Sequence, residues 1–255
     1  MSKYKIWFQG GTDRALMGPY IARVEPHFRA ILEPEFDFSF NTTTPPITTT
    51  HALTEFRAAR NFIRNAIEAE RQGYDAVAIT HFQDAGLMEA KASVAIPVLG
   101  LGETTLLHAC TLGRKLGLVT INPAFIPWHE DQVILYGLGQ RVVGVRAVDA
   151  KVSDFIDSFA RRDAYDALYP KWERECRALL TAGADVIIPA GGLPMMLFGS
   201  EPNASIDGAP IVNGMTLIAK TAEMMIKLRR LGAGAVSRRS NFAMPPEKAV
   251  REFLE

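Results

Sequence analysis

At 255 residues, 48% hydrophobic and 22% charged, the chain has the composition of an ordinary globular protein, long enough to bury a core without disulfide or metal staples. Twenty-eight Lys and Arg balance 28 Asp and Glu, so no net field attracts nucleic acid or an anionic membrane, and small-molecule chemistry is the better starting class. No apolar run approaches the roughly 18 residues of a membrane span, and the first residues run straight into a strand pattern without a secretion signal, so a cytoplasmic protein is expected. Two cysteines, Cys110 and Cys176, are too few for a disulfide framework or a metal site, and both read as small buried hydrophobes.

In chain order, Tyr4 to Phe8 predicts a short strand that ends in Gln9-Gly10-Gly11-Thr12-Asp13. The two glycines bare backbone N–H groups, so this is either a ligand-facing loop or a plain tight turn, and no G-x-G-x-x-G follows to make it a dinucleotide fingerprint. Residues 14–32 read as helical with interruptions at Pro19 and Pro26, and Phe36 to Phe40 alternates as a strand. Between Asn41 and His51, Thr, Asn and Pro replace all periodicity, which predicts a long loop with a functional or mobile role. His51 at its end is either a solvent-facing helix start or a polar group aimed into a site. From Ala52 to Gln72, Leu53, Phe56, Ile63 and Ile67 recur at helical spacing, with Glu55, Arg57, Arg60, Arg64 and Glu68 elsewhere on the wheel, so this is a scaffold helix.

Two later stretches read as copies of one another. Gly73-Tyr-Asp75 opens an apolar strand that ends at His81, followed by Ile96-Pro97-Val-Leu-Gly100 and then Leu116-Gly117-Leu-Val-Thr120. Gly183-Ala-Asp185 opens a second that ends at Gly191, followed by Ala209-Pro210-Ile-Val-Asn213 and then Leu231-Gly232-Ala-Gly-Ala-Val236. Strands alternating with helices predict an α/β fold of two pseudo-symmetric lobes, each a parallel sheet flanked by helices. Residues 1–115 with 231–255 are assigned to one lobe and 116–230 to the other. Ligands of such sheets lie at the carboxyl ends of the strands, so a site is expected in the cleft between the lobes. The candidate wall residues are Gln9, Gly10, Gly11, Thr12, Thr42, Thr43, Thr44, Thr80, His81, Phe82, Gln83, Thr120, Asn122, Ala190, Gly191, Gly192, Leu193 and Asn213.

Between the copies, Asn122 to Tyr136 is amphipathic, Arg141 to Val145 is a strand and 151–182 is a charged helical region. Residues 199–208 read as a loop. The tail Ser237-Arg238-Arg239-Ser240-Asn241-Phe242 is a solvated basic terminus or an anion site.

The stretch His81-Phe-Gln-Asp84-Ala-Gly86-Leu87, followed by Ile96-Pro-Val-Leu-Gly100, resembles the hydantoin racemase pattern Cys-Phe-x-Asp-Pro-Gly-Leu with a later Pro-Val-x-Gly. Tyr136-Gly137-Leu138, Gly183 to Ile188 and Pro210-Ile-Val-Asn-Gly214 match it as well, so the chain resembles the aspartate/glutamate racemase superfamily over nearly its whole length. Arylmalonate decarboxylase is a more distant relative. The resemblance implies two similar α/β lobes and a pair of cysteines, one per lobe, that exchange an α-proton of the substrate without a cofactor.

This sequence departs from that pattern at both cysteines. His81 stands at the first position, and the second falls on Gly191 or, set against the decarboxylase pattern Cys-Gly-Gly-Leu, on Ala190. With no titratable side chain at the second position, two-sided racemisation loses one carrier. The expectation is therefore a non-racemase enzyme, a lyase or hydrolase acting on a small carboxylate or cyclic amide by decarboxylation, elimination or hydrolytic ring opening. His81 is the general acid/base, suited by the ~6.5 at which a histidine ordinarily titrates, and the backbone of Ala190 to Leu193 is an oxyanion or carboxylate hole. The alternatives are a metal-assisted hydrolase using His51 and His81, with Asp84 or His129 and Glu130 completing the set, a non-catalytic small-ligand binder, or a racemase using His81. No cofactor is expected, no nucleic acid or membrane partner, and homo-oligomers as in relatives.

Overall fold

The computed structural model describes residues 3–11, 13–47, 49–234 and 236–255. The chain divides into two units, one of residues 1–16, 29–100 and 218–255, the other of 17–28 and 101–217. Each is an α/β unit with helices on a parallel sheet.

The sheet of unit 1 is built from β1 (Tyr4–Gln9), β2 (Phe36–Asn41), β3 (Ala76–Ile79) and β4 (Val98–Gly100), in the order β2-β1-β3-β4 with every pair parallel. Between them run α1 (Gly18–Ile31), α2 (Ala52–Arg71) and α3 (Leu87–Ser93), with Pro26 inside α1. All four residues of β3 are buried, as a parallel strand covered on both faces requires. The face that α2 buries is Ala58, Phe62, Ile63, Ala66, Ile67 and Ala69, which joins Trp7, Val77 and Ile79 in one core. Leu53 and Phe56, read from the sequence as part of that stripe, are 80% and 74% exposed, so the packed face begins one turn later than the apolar spacing suggests.

The second sheet contains β5 (Leu116–Thr120), β6 (Val142–Ala147) and β7 (Val186–Ala190), ordered β6-β5-β7 and parallel. Around it lie α4 (Leu101–Ala109), α5 (Ile126–Leu135), α6 (Val152–Ala160), α7 (Arg162–Thr181) and α8 (Gly192–Phe198). A short hairpin of β8 (Ser205–Ile206) and β9 (Ala209–Pro210) precedes α9 (Gly214–Arg230), and α10 (Glu247–Leu254) closes the chain. A parallel bridge from Ile187 to Ile211 stands where β4 stands in the first sheet. The core of this unit includes a stack of Trp172 on Phe198, with centroids 4.3 Å apart and planes 19° off parallel.

These pairings shift the sequence repeat. Leu116 to Thr120 is the central strand of the second sheet, the counterpart of β1, and not the third strand of the first copy. Leu231 to Val236 forms no strand among its described residues. Gly232, at φ 78°, lets the chain turn back on α9, with Ala233 N–H donating to the Leu228 carbonyl, and Leu231 is 80% exposed; Ala235 lies outside the described residues. Ser237, Arg239, Ser240 and Asn241 of the basic tail are exposed, as a solvated tail would be, but the Arg238 guanidinium is committed inside the unit, donating to the Lys91, Ala92 and Val94 carbonyls at the carboxyl end of α3.

The repeated Gly-x-Asp motif has a physical reason in each unit. Asp75 accepts from the Lys5 N–H at 2.8 Å, where β1 begins. Asp185 accepts from the Arg114 and Lys115 N–H groups at 3.0 and 2.8 Å, just before β5. Each carboxylate thus joins the start of one strand to the start of the next. Desolvation alone would raise the Asp185 carboxyl, but the Lys115 and Arg114 donors outweigh it and hold the group below the usual carboxylate range. A carboxyl lowered by folding stabilises the native state above its unfolded value, near ~3.9, and that contribution fades as pH falls through the folded value. Asp185→Asn should therefore lose about 1 kcal/mol at neutral pH in urea unfolding, a modest figure because the group faces solvent, and the gap to the parent should close in acid.

Candidate functional site

In unit 1 the carboxyl ends of β1 and β3 lie side by side, with Gln9 opposite Ile79. His81 follows β3, and its imidazole Nε2 lies 2.8 Å from Glu55 Oε2, both side chains being 15% exposed. Glu55 is in the first turn of α2, where the helix dipole favours an anionic side chain. The Phe62 ring, from the next turns of α2, packs 5.5 Å from the imidazole. On the opposite side, a Cβ built on Gly11 would come 3.2 Å from His81 Nδ1 and 2.8 Å from Ile47 Cδ1. Glycine at position 11 therefore lets the β1 turn lie against the imidazole.

The loop after β2 is fastened to this turn. Thr43 is buried and donates its hydroxyl to the Gly11 carbonyl at 2.7 Å, and the Ile47 N–H donates to the same oxygen at 3.2 Å. Arg57 of α2 reaches the Pro46 carbonyl at 2.8 Å. Thr44 is exposed, and its peptide bond to Pro45 is cis. Thr12 lies outside the described residues.

Gln9, expected as a substrate contact, is fully buried with its amide committed inside the unit. Its Oε1 accepts from Trp7 Nε1 at 2.9 Å and Asn65 Nδ2 at 2.8 Å, and its Nε2 donates to the Gly10 carbonyl. Phe82 is a core residue at 2% exposure, whereas Gln83 is half-buried. Asp84 has a positive φ of 54° and its carboxylate packs over Gly100, where a Cβ would lie 2.4 Å from the carboxylate oxygen. His51 is exposed and serves α2 through its carbonyl, which accepts from the Thr54 and Glu55 N–H groups. His81 is thus paired with Glu55 and not with His51, and among the described residues no three His, Cys, Asp or Glu side chains converge as a metal site.

In unit 2 the corresponding strand ends are Thr120 and Ala190, which pair across β5 and β7. Both are buried. Thr120 Oγ1 lies 3.2 Å from His129 Nε2, and His129 Nδ1 lies 3.0 Å from Gln132 Oε1, a fully buried chain that ties α5 to the end of β5. The sequence marks His129 only as a partner for a metal, because its helical spacing does not reveal that it turns inward beneath Thr120. Asn122 and Asn213, expected at the wall, are helix caps: Asn122 Oδ1 accepts from the Ala124 N–H, and Asn213 Oδ1 from those of Met215 and Thr216.

The β7–α8 turn is where the sequence places an anion hole. The Gly191 N–H already donates to the Pro189 carbonyl at 3.0 Å. Gly191 adopts φ 148°, ψ 153°, a conformation that side chains exclude, and a Cβ on Gly192 would lie 2.4 Å from the Tyr20 hydroxyl. Gly191 is thus demanded by its backbone conformation and Gly192 by the Tyr20 side chain packed against it. Leu193 is buried. Burial also pushes the Tyr20 phenol and the Cys176 thiol far up, so Cys176, deep among the helices of this unit, supplies no thiolate.

A family model described as Asp/Glu/Hydantoin racemase matches residues 20–222, most of the chain. A hydantoin racemase of Rhizobium meliloti is 28% identical over 218 residues, covering 82% of this chain and 83% of that protein. One from Pseudomonas sp. (strain NS671) is 26% identical over 201 residues, covering 79% and 76%. The solved structure of an allantoin racemase from Klebsiella pneumoniae shares the fold at a TM-score of 0.78 and 21% identity, over 95% of this chain and 94% of that one. These relatives overturn the expectation of a non-racemase lyase or hydrolase, which rested on the two missing cysteines. They favour the alternative of a racemase.

Gly191→Ala should cost roughly 1–3 kcal/mol in chemical denaturation through backbone strain alone, with the circular dichroism spectrum unchanged.

Proposed function

Because the chain belongs to the Asp/Glu/Hydantoin racemase family, we propose that it is a racemase of a small cyclic amide of the hydantoin class, with His81 as its proton carrier. The observation that carries this reading is the identity of His81 and its surroundings: a histidine at the strand end where the family pattern has its first cysteine, held by a carboxylate and half-buried against Phe62. The named activity of the two hydantoin racemases supports the reaction class.

The chemistry follows from the carbon acid. In a hydantoin the ring C–H beside the carbonyl is acidic because the electron pair left behind delocalises onto the carbonyl oxygen as an enolate. A neutral imidazole breaks that C–H bond, taking the proton on nitrogen while the pair moves to oxygen. The enolate is planar at carbon, so it no longer records the face from which the proton left. Return of a proton to the opposite face gives the other enantiomer, whether it comes from the same imidazole after the ring reorients or from solvent. A second ionisable side chain at position 190 or 191 is not required for this route. Replacing thiolate by imidazole also frees the reaction from the redox sensitivity of a catalytic cysteine.

His81→Ala should lower the rate of racemisation of a 5-substituted hydantoin by roughly 10²–10⁴-fold, followed by chiral chromatography. In D₂O the parent should load deuterium at the ring carbon as it racemises, and the variant should not. A parent protein that leaves both enantiomers of such hydantoins unchanged would sink the reading.

A further inference from the structure

The Glu55–His81 contact carries more than the identity of the proton carrier. An ionised carboxylate accepts hydrogen bonds and donates none, so at 2.8 Å the hydrogen between Glu55 Oε2 and His81 Nε2 belongs to the imidazole. The amino end of α2, where Glu55 sits, favours that anionic form. In neutral His81 the one ring proton is then on Nε2, and Nδ1 carries the lone pair.

Among the described residues, the groups beside Nδ1 do not engage that lone pair. Its neighbour on the β1 turn is Gly11, which has no side chain to cover it. The Gly11 carbonyl is already engaged by the Thr43 hydroxyl and the Ile47 N–H, so it does not compete for a proton on Nδ1 and offers no reward to the other tautomer. Among the described residues, no hydrogen bond ends on Nδ1. The Phe62 ring, 5.5 Å away and tilted by 57°, limits rotation of the imidazole about this arrangement.

We propose that Glu55 is the positioning residue of His81: by accepting the Nε2 hydrogen it fixes the tautomer in which Nδ1 is the atom that takes and returns the substrate proton. The inference rests on the reading of His81 as proton carrier. In the forward step the substrate C–H bond breaks, its electron pair passes to the carbonyl oxygen as an enolate, and an Nδ1–H bond forms. The imidazolium so made has a hydrogen on each nitrogen, and its Nε2–H remains on the Glu55 carboxylate, which balances the new charge. Returning the proton from Nδ1 restores neutral His81 in its starting tautomer. The division of labour is that of a carboxylate–histidine pair in which the carboxylate orients the ring and never becomes the base.

Two measurements test this on the intact protein. With a 5-substituted hydantoin as probe, Glu55→Ala should lower kcat by roughly 10²-fold with KM within about twofold, Glu55→Gln should fall less, and Glu55→Asp should recover part of the loss. A purely structural ion pair would change the melting temperature and leave kcat in place, and that outcome overturns the proposal. Separately, ¹⁵N NMR of histidine-labelled protein, with the His81 signals identified by their loss in His81→Gln, should report the Nε2–H tautomer in the parent and a mixture in Glu55→Gln. An unchanged tautomer in that variant also overturns the proposal, and it remains informative if Glu55→Ala fails to fold. If the parent racemises no hydantoin yet its tautomer depends on Glu55, the functional reading fails while the positioning role stands.

Discussion

Each unit depends on a carboxylate placed at the start of its sheet. Asp75 holds the N–H of Lys5 before β1, and Asp185 holds those of Arg114 and Lys115 before β5. The strands are short and parallel, and a shift of one residue along any of them would exchange the faces of every side chain. A charged acceptor on the neighbouring strand fixes their alignment at the end away from the chemistry. That register sets which residues emerge together at the other end: Gln9 beside Ile79 in one unit, Thr120 beside Ala190 in the other.

The units share this framework and differ in what they put on it. At the end of β3 the chain presents a histidine backed by a glutamate, partly open to solvent. At the end of β7 it presents Ala190, Gly191 at a positive φ and Gly192 against the Tyr20 hydroxyl, while the histidine of that region is turned inward beneath Thr120. The difference follows from burial. An imidazole buried on all sides and hydrogen-bonded on both nitrogens, as His129 is, has no free nitrogen for a substrate, whereas among the described residues nothing hydrogen-bonds His81 Nδ1. Under the proposed function, the proton carrier is thus a side chain that already has a carboxylate partner.

Much of this framework is legible in the sequence because it depends on local patterns. The continuous apolar runs of β3 and β7, the Gly-x-Asp pairs and the motif from His81 to Leu87 mark the fold class, the family and the place of the histidine. Leu116 to Thr120 is a strand, as its apolar run predicts, but in the second sheet; Leu231 to Val236 shares the Leu-Gly pattern, which fits a helix-ending turn as well as a buried strand, and Gly232 at positive φ makes it a turn. Gln9 and the two asparagines were read as site residues because polarity at a strand end is ambiguous until its partners are known, and their partners are internal. Glu55 was invisible for the converse reason: on the helical wheel it is one polar residue among several, and only the crossing of α2 over the end of β3 singles it out.

The clasp made by Arg238 on the carboxyl end of α3 bears on the order in which the protein takes shape. Val250, Phe253 and Leu254 pack on the same core as α2, so unit 1 is completed by the last stretch of the chain although its sheet is made from the first hundred residues. During synthesis, which proceeds from the amino end, β1 to β4 emerge early and wait for 218–255 while nearly all of unit 2 is delivered in one continuous run. The histidine and glutamate at the end of β3 thus belong to a unit whose packing waits on residues made after most of unit 2.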